Sequence, residues 1–213
     1  MTKINKDNIN IFLHKKELSD DEFQDIYYLI KHENTDSILS KLGKDLIRKY
    51  LNTAIKSDHI FLFSCKIEEQ IIGYILLAKS SEYLINEFMD LRFKIIFGLL
   101  KKVKFILLLN ILISFFKLDL LLIEKKNKKI IKESLNLNLL AIKKEYQSQG
   151  IGKLFSQNVL KKIYQNHFKF DFISVEAPNS NSINFYVNKL NFKPIGRKIR
   201  FFKFFLVLLK DKV

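Results

Sequence analysis

The stretch of this chain best suited by residue type and spacing to chemistry is Gln147-Ser148-Gln149-Gly150-Ile151-Gly152. It follows an apolar run, 135–142, and a polar loop, 143–149. It opens a segment with Ile151, Leu154, Phe155, Val159 and Ile163 at helical spacing. The first backbone N–H groups of a helix have no intrahelical acceptor, and the helix dipole adds partial positive charge there. A diphosphate can dock on such donors where no side chain blocks its approach. Gly150 and Gly152 give that clearance, and glycine adopts the backbone angles of a tight loop. Other phosphate loops fit poorly. A Walker loop needs Lys-Ser or Lys-Thr after its last glycine. A dinucleotide fingerprint needs three glycines after the first strand of a sheet, with an acid about twenty residues on. Here two glycines come after a fourth or later strand.

Metal and thiol chemistry find no such support. His14, His32, His59 and His167 are scattered, and none pairs with a cysteine or a second histidine at metal-ligand spacing, so no metal is expected. Cys65, the single cysteine, sits in the apolar run 60–65 and reads as a small buried hydrophobe. One cysteine excludes an internal disulfide and fits a reducing compartment. With no secretory signal at its start, the chain is expected to work in the cytoplasm.

The elements that must position the loop are legible from periodicity. The chain has 213 residues, is 48% hydrophobic and has two prolines, which predicts one domain, 1–213. Residues 8–13 alternate as a first strand. Ser19-Asp20-Asp21-Glu22 is a capping box that opens an amphipathic helix through Phe23, Ile26, Tyr27 and Ile30. A second helix is expected from about residue 36, with Leu39, Leu42, Leu46, Tyr50 and Ala54 inward. Strands at 60–66 and 70–78 flank a turn at 67–69, and Gly73 suits a bulge or a close backbone approach. Then come a strand at 135–142, the helix from Ile151, a strand at 170–175, a short helix at 182–190, and closing strands at 192–195 and 201–209.

With its context, the loop resembles that of the GNAT superfamily of N-acetyltransferases. Ala141 to Gly152 is similar to that family's strand and pyrophosphate loop, Q/R-x-x-G-x-G/A. A second signature, an Asn followed seven residues later by Tyr and then Leu-Gly-Phe, is matched by Asn179, Tyr186 and Leu190-Asn191-Phe192. Asn191 replaces the usual glycine and is the next-best residue for the left-handed conformation that ends a helix. Gly73 in Ile71-Ile72-Gly73-Tyr74-Ile75 is similar to the family's third strand. The resemblance covers the chain except 80–132. It implies an α/β fold, a mixed central sheet flanked by helices, with a helical insert between the third and fourth strands.

It also implies acetyl-CoA as donor and a primary amine as acceptor. Backbone groups of Leu140 and Ile142 would bond the pantetheine arm. Main-chain amides of Gln147, Ser148, Gln149, Gly150, Ile151 and Gly152, with Lys153 nearby, would hold the pyrophosphate. Asn179 would contact CoA, and Tyr186 would protonate the departing thiolate, a role suited to a phenol because a CoA thiolate leaves poorly until it is protonated. Ribosomal-protein acetyltransferases carry a Glu where this chain has Ser174. Glu176, two residues on, is the weaker candidate for general base, with a solvated carboxylate as the alternative. The departure at Ser174 points away from a protein N-terminus and toward a small molecule such as an amino sugar or its nucleotide conjugate. A protein amine, or a non-catalytic acyl-CoA-binding module, is the alternative.

Residues 80–132 are apolar and studded with Lys94, Lys101, Lys102, Lys104 and Lys117. Their uncharged stretch 105–116 falls short of the ~20 residues a spanning helix needs. Three roles are open for the insert: packing on the domain, homodimerisation, or peripheral membrane contact. The Lys-rich 125–132 reads as a solvated connector. The net charge of +15 comes almost wholly from Lys spread along the chain, and without a nucleic-acid motif it predicts solvated faces, not a nucleic-acid partner.

Overall fold

The computed structural model describes residues 8–87, 123–166, 168–200 and 203–211. In chain order its elements begin with β1 (Ile9–Leu13), α1 (Asp20–His32), α2 (Lys44–Lys56), β2 (Ile60–Ile67), β3 (Gln70–Ala78) and α3 (Ser81–Glu87). After the insert come α4 (Lys125–Glu133), β4 (Leu135–Ile142), α5 (Ile151–Asn166), β5 (Phe172–Ala177), α6 (Ser180–Asn184), β6 (Lys193–Arg200) and β7 (Lys203–Asp211). The strands form a mixed seven-stranded sheet in the order β1-β2-β3-β4-β5-β7-β6. The chain divides into two compact units, one from residues 1–78 and 137–169, the other from 79–136 and 170–212.

In the first unit, Ser19 sets the start of α1. Its hydroxyl accepts from the Glu22 amide at 3.2 Å, and the Glu22 carboxylate accepts from the Ser19 amide at 3.1 Å, which satisfies two donors that the helix start would leave open. The helix buries Phe23, Ile26, Leu29 and Ile30 and packs on β3, while α2 packs on β2. The second helix starts later than the sequence pattern predicts. Gly43 takes an extended conformation and caps α2, and Leu39 and Leu42 are buried ahead of it in and beside a separate 3₁₀ turn, Leu39–Lys41. The break shifts the phase of the buried face, so Ile47 and Leu51 are buried while Leu46 is half-buried.

Gly73 combines both expected features. A β-bulge lies where Cys65 pairs with Gly73 and Lys66 pairs with Ile71. A Cβ at Gly73 would overlap Ile142 Cδ1 and lie 2.8 Å from the Ala141 carbonyl oxygen, so only glycine lets β4 approach β3 here. Cys65 is fully buried beside it, and burial pushes its thiol up to about 12, as expected of an inert core residue.

His14 ends β1 in a buried setting. Its amide donates to the Leu62 carbonyl at 2.9 Å, and its Nε2 lies 2.8 Å from Ser64 Oγ. Burial lowers its pKa from 6.5 to about 4, with Glu22 opposing the shift and Lys66 adding to it. Between these values the unfolded chain binds a proton that the folded chain refuses. Stability is therefore full above pH 6.5 and falls by about 3 kcal/mol as the pH drops toward 4. Urea titrations at steps from pH 7 to 4 should show this loss, and His14→Gln should flatten it over the same window. Glu22 adds a separate loss at lower pH. Burial alone would raise its pKa, but the Ser19 amide and Lys66 outweigh it, so its contribution fades only below the usual carboxylate value of 4.5.

In the second unit, β5 and β6 flank β7, both antiparallel to it. The 125–132 stretch, expected to be a solvated connector, is instead the helix α4. Its lysines face outward, but Ile131 packs into a cluster with Ile123, Val207 and Ile195. One buried isoleucine and an Asn127 Nδ2 bond to the Ile195 carbonyl at 3.2 Å fix what composition alone reads as loop. Residues 88–122 of the insert, including 105–116, lie outside the described residues. Among the described residues, no helix is long and apolar enough to cross a membrane.

Both borders of the sheet are blunted. At β1, Lys162 Nζ donates to the Ile11 carbonyl at 2.8 Å. At β6, Pro194 removes a donor, the register shifts between Pro194 and Gly196, and Lys198 is buried. These features discourage pairing with a further strand.

Candidate functional site

In the first unit, β4 ends at Ile142, and the chain makes a 3₁₀ turn, Lys144–Tyr146, before α5 begins at Ile151. Leu140 and Ile142 stand in the last three residues of that strand, half-buried and buried respectively. Ser148 has a φ of 62° and Gly150 a φ of 80°, left-handed conformations that turn the loop sharply before the helix. Glycine adopts this conformation freely, so the backbone itself uses the residue type at position 150. The Leu154 amide donates to the Gly150 carbonyl at 3.1 Å, which starts the helical ladder. The amides of Ile151, Gly152 and Lys153 precede the ladder and have no intrahelical acceptor. No acidic residue stands in the first turn, and Lys153 is exposed. A helix end of this kind suits an anionic group.

Gln147 departs from its expected role. Its main-chain amide donates to the Lys144 carbonyl at 3.2 Å. Its Nε2 donates to Glu33 Oε2 and to the Ile142 carbonyl, each at 2.8 Å. The residue closes the loop, and the donors open to a ligand begin after it. The Ile142 carbonyl, expected to serve a pantetheine arm, thus already accepts one bond and has one lone pair left.

Sequence reasoning missed the groups that hold this loop in place. Lys143, read as part of a polar loop, is buried. Its ammonium lies 3.2 Å from Asp25 Oδ1, and its amide donates to the Ile72 carbonyl at 2.8 Å. The other Asp25 oxygen accepts from the Ile71 amide at 3.0 Å, next to the β3 bulge. Asn34 Nδ2 donates to Tyr74 Oη at 2.7 Å. These ties join residues forty or more positions apart, so no local pattern announces them.

In the second unit, β5 ends at Ala177, and Asn179 caps α6. Its Oδ1 accepts from the Ser182 amide and from the Ser182 hydroxyl, each at 2.9 Å. The helix continues as a π-helical turn, Phe185–Lys189, which buries Tyr186. The Phe185 and Phe192 rings meet the Tyr186 ring edge-on, with centroids 5.2 and 5.5 Å away. Burial raises the phenol above the ordinary tyrosine range, so it stays protonated and keeps a proton to donate at neutral pH and above. Asn191 has a φ of 61°, the left-handed end that the sequence assigns to it.

Glu176 is not the solvated carboxylate of the alternative reading. Its Oε1 lies 2.7 Å from Lys198 Nζ, and the two side chains are 17% and 7% exposed. Glu176 faces Val207 and Lys198 faces Phe205, so the pair reaches across β7. Ser174 is also buried. Its hydroxyl lies 2.6 Å from that of Ser134 and accepts from Asn136 Nδ2 at 3.3 Å. Among the described residues, no group of three His, Cys, Asp or Glu side chains could hold a metal.

The chain has the fold of the GNAT acetyltransferases. It is similar to Drosophila melanogaster polyamine N-acetyltransferase, with a TM-score of 0.58, 9% identity, and 95% of this chain and 100% of that one covered. Arylalkylamine N-acetyltransferase 2 from Aedes aegypti matches with a TM-score of 0.55 at 15% identity, covering 97% and 100% of the two chains. The ribosomal-protein-S18-alanine N-acetyltransferase of Escherichia coli matches with a TM-score of 0.53 at 8% identity, covering 96% and 94%. No family model and no curated protein sequence matches the chain.

Proposed function

We propose that this chain, as one domain over 1–213, is a cytoplasmic N-acetyltransferase that moves an acetyl group from acetyl-CoA to a primary amine. The observation that carries this is the left-handed Gly150 turn, which opens a 16-residue helix directly after β4 on a GNAT fold. Amides from Ser148 to Gly152, with Lys153 beside them, receive the diphosphate. Leu140 and the remaining lone pair of Ile142 align the pantetheine, and Asn179 adds a contact to CoA. Tyr186 is the acid. As the amine nitrogen bonds to the thioester carbonyl carbon, the C–S bond breaks and the Tyr186 hydroxyl passes its proton to the sulfur. The proton shed by the nitrogen leaves to water, and solvent restores the phenol. Glu176 is the alternative acceptor for that proton, but its tie to Lys198 favours a structural part.

A small amine acceptor, such as an amino sugar or a nucleotide-linked amino sugar, fits the chain better than a protein N-terminus. The position aligned with the carboxylate of ribosomal-protein acetyltransferases is the buried, hydrogen-bonded Ser174. The three structural relatives named above differ in acceptor by their own names, so the fold leaves the acceptor open. The test is thiol release from acetyl-CoA across a panel of amino sugars, nucleotide-linked amino sugars, polyamines and peptides. Turnover on sugar amines supports the reading, and turnover on peptides alone replaces the acceptor. CoA binding without turnover on any amine makes the chain an acyl-CoA-binding module whose insert, 80–132, serves a second copy or a membrane.

A further inference from the structure

The loop between β4 and α5 is held by α1. Asp25 and the helix-ending Glu33 stand about two turns apart, and each reaches a different point of the loop. Asp25 fixes its start through the buried Lys143 ammonium at 3.2 Å. Glu33 fixes its far end through Gln147 Nε2 at 2.8 Å. A carboxamide nitrogen carries two hydrogens, and both are used here, one on Glu33 and one on the Ile142 carbonyl. With its main-chain amide on Lys144, Gln147 offers an incoming anion only its carboxamide oxygen. Its contribution to binding is the spacing it enforces.

We propose that Glu33 is a positioning residue which, acting through Gln147, sets the place of the α5 amides relative to the end of β4. It thereby gives the enzyme its preference for a donor that carries a diphosphate. This rests on the acetyl-CoA reading above. The Asp25–Lys143 pair is the fixed point of the strut. Removing Asp25 would strand a buried ammonium, so Glu33, which is half-buried, is the site to vary.

The experiment combines calorimetry with CoA and kinetics with two donors, acetyl-CoA and S-acetylpantetheine, the second of which lacks the diphosphate. In Glu33→Ala, the CoA Kd and the acetyl-CoA KM should rise about fivefold to tenfold, with kcat nearly unchanged. The kcat/KM for S-acetylpantetheine should stay at the parent value, and Glu33→Gln, which keeps an acceptor oxygen, should restore most of the affinity. Gln147→Ala, which also frees the Ile142 carbonyl, should raise the CoA Kd at least as much as Glu33→Ala, and the double variant should be no worse than Gln147→Ala. Equal losses with both donors, additive losses in the double variant, or an unchanged Glu33→Ala would overturn the proposal alone. A parent chain that binds no CoA would overturn it together with the reading on which it rests.

Discussion

Tyr186→Phe should lower kcat about 10²- to 10³-fold while leaving the CoA Kd within about twofold of the parent. The substitution keeps the ring that Phe185 and Phe192 pack against, so urea unfolding should register little change. What disappears is the hydroxyl proposed to protonate the departing sulfur. Because burial raises the phenol, the parent should keep its rate at alkaline pH. An acid must be protonated to work, and the loss that an ordinary tyrosine would impose near pH 10 should move to higher pH. Undiminished turnover in Tyr186→Phe would remove the residue from the chemistry and leave it as a core aromatic.

Gly152→Val addresses the diphosphate end. Of the described glycines only Gly150 has a positive φ, so a valine at 152 meets no backbone strain. Its branched side chain, in the first turn of α5, would crowd the amides proposed to receive the anion. The CoA Kd should rise about 10²-fold, the scale of losing two or three charge-assisted hydrogen bonds, while Tm moves by only a few degrees. Gly150→Ala should behave differently. It forces an L-residue to a φ of 80° and should cost about 1–2 kcal/mol of stability as well as affinity. An unchanged CoA Kd in both variants would show that the helix end is not the docking point.

The parts of the fold that were readable are those governed by near neighbours. The Ser19–Glu22 capping box forms both of its bonds, the turn after β2 falls at Glu68, and Asn191 takes the conformation its chemistry favours. Gly73 needed no partner to be named as a tight spot, although only the fold shows that Ala141 and Ile142 are what it makes room for. The misreadings share a cause. Lys143 looked solvated because lysine usually is, and its burial depends on Asp25, a residue on another helix. Likewise 125–132 looked like a tether because Ile131 finds its apolar partners far along the chain. Glu176 carried no sign of Lys198, since their encounter depends on a strand lying between them. Of the candidate site, the turn at Gly150 and the helix that follows it were legible; the side chains that brace the loop were not.

The blunted β6 border has a consequence for solubility. Its inner neighbour β7 reads Lys-Phe-Phe-Leu-Val-Leu-Leu-Lys-Asp, six consecutive apolar residues of the sort that template fibrils when left unpaired. On one side β5 covers that segment, and on the other β6 does, with its proline and its bulge, and the buried Glu176–Lys198 pair ties the two covering strands across it. β6 thus works as a sheath. Detachment of β6 alone would leave that apolar run with an unpaired edge, a template for pairing between copies of the chain.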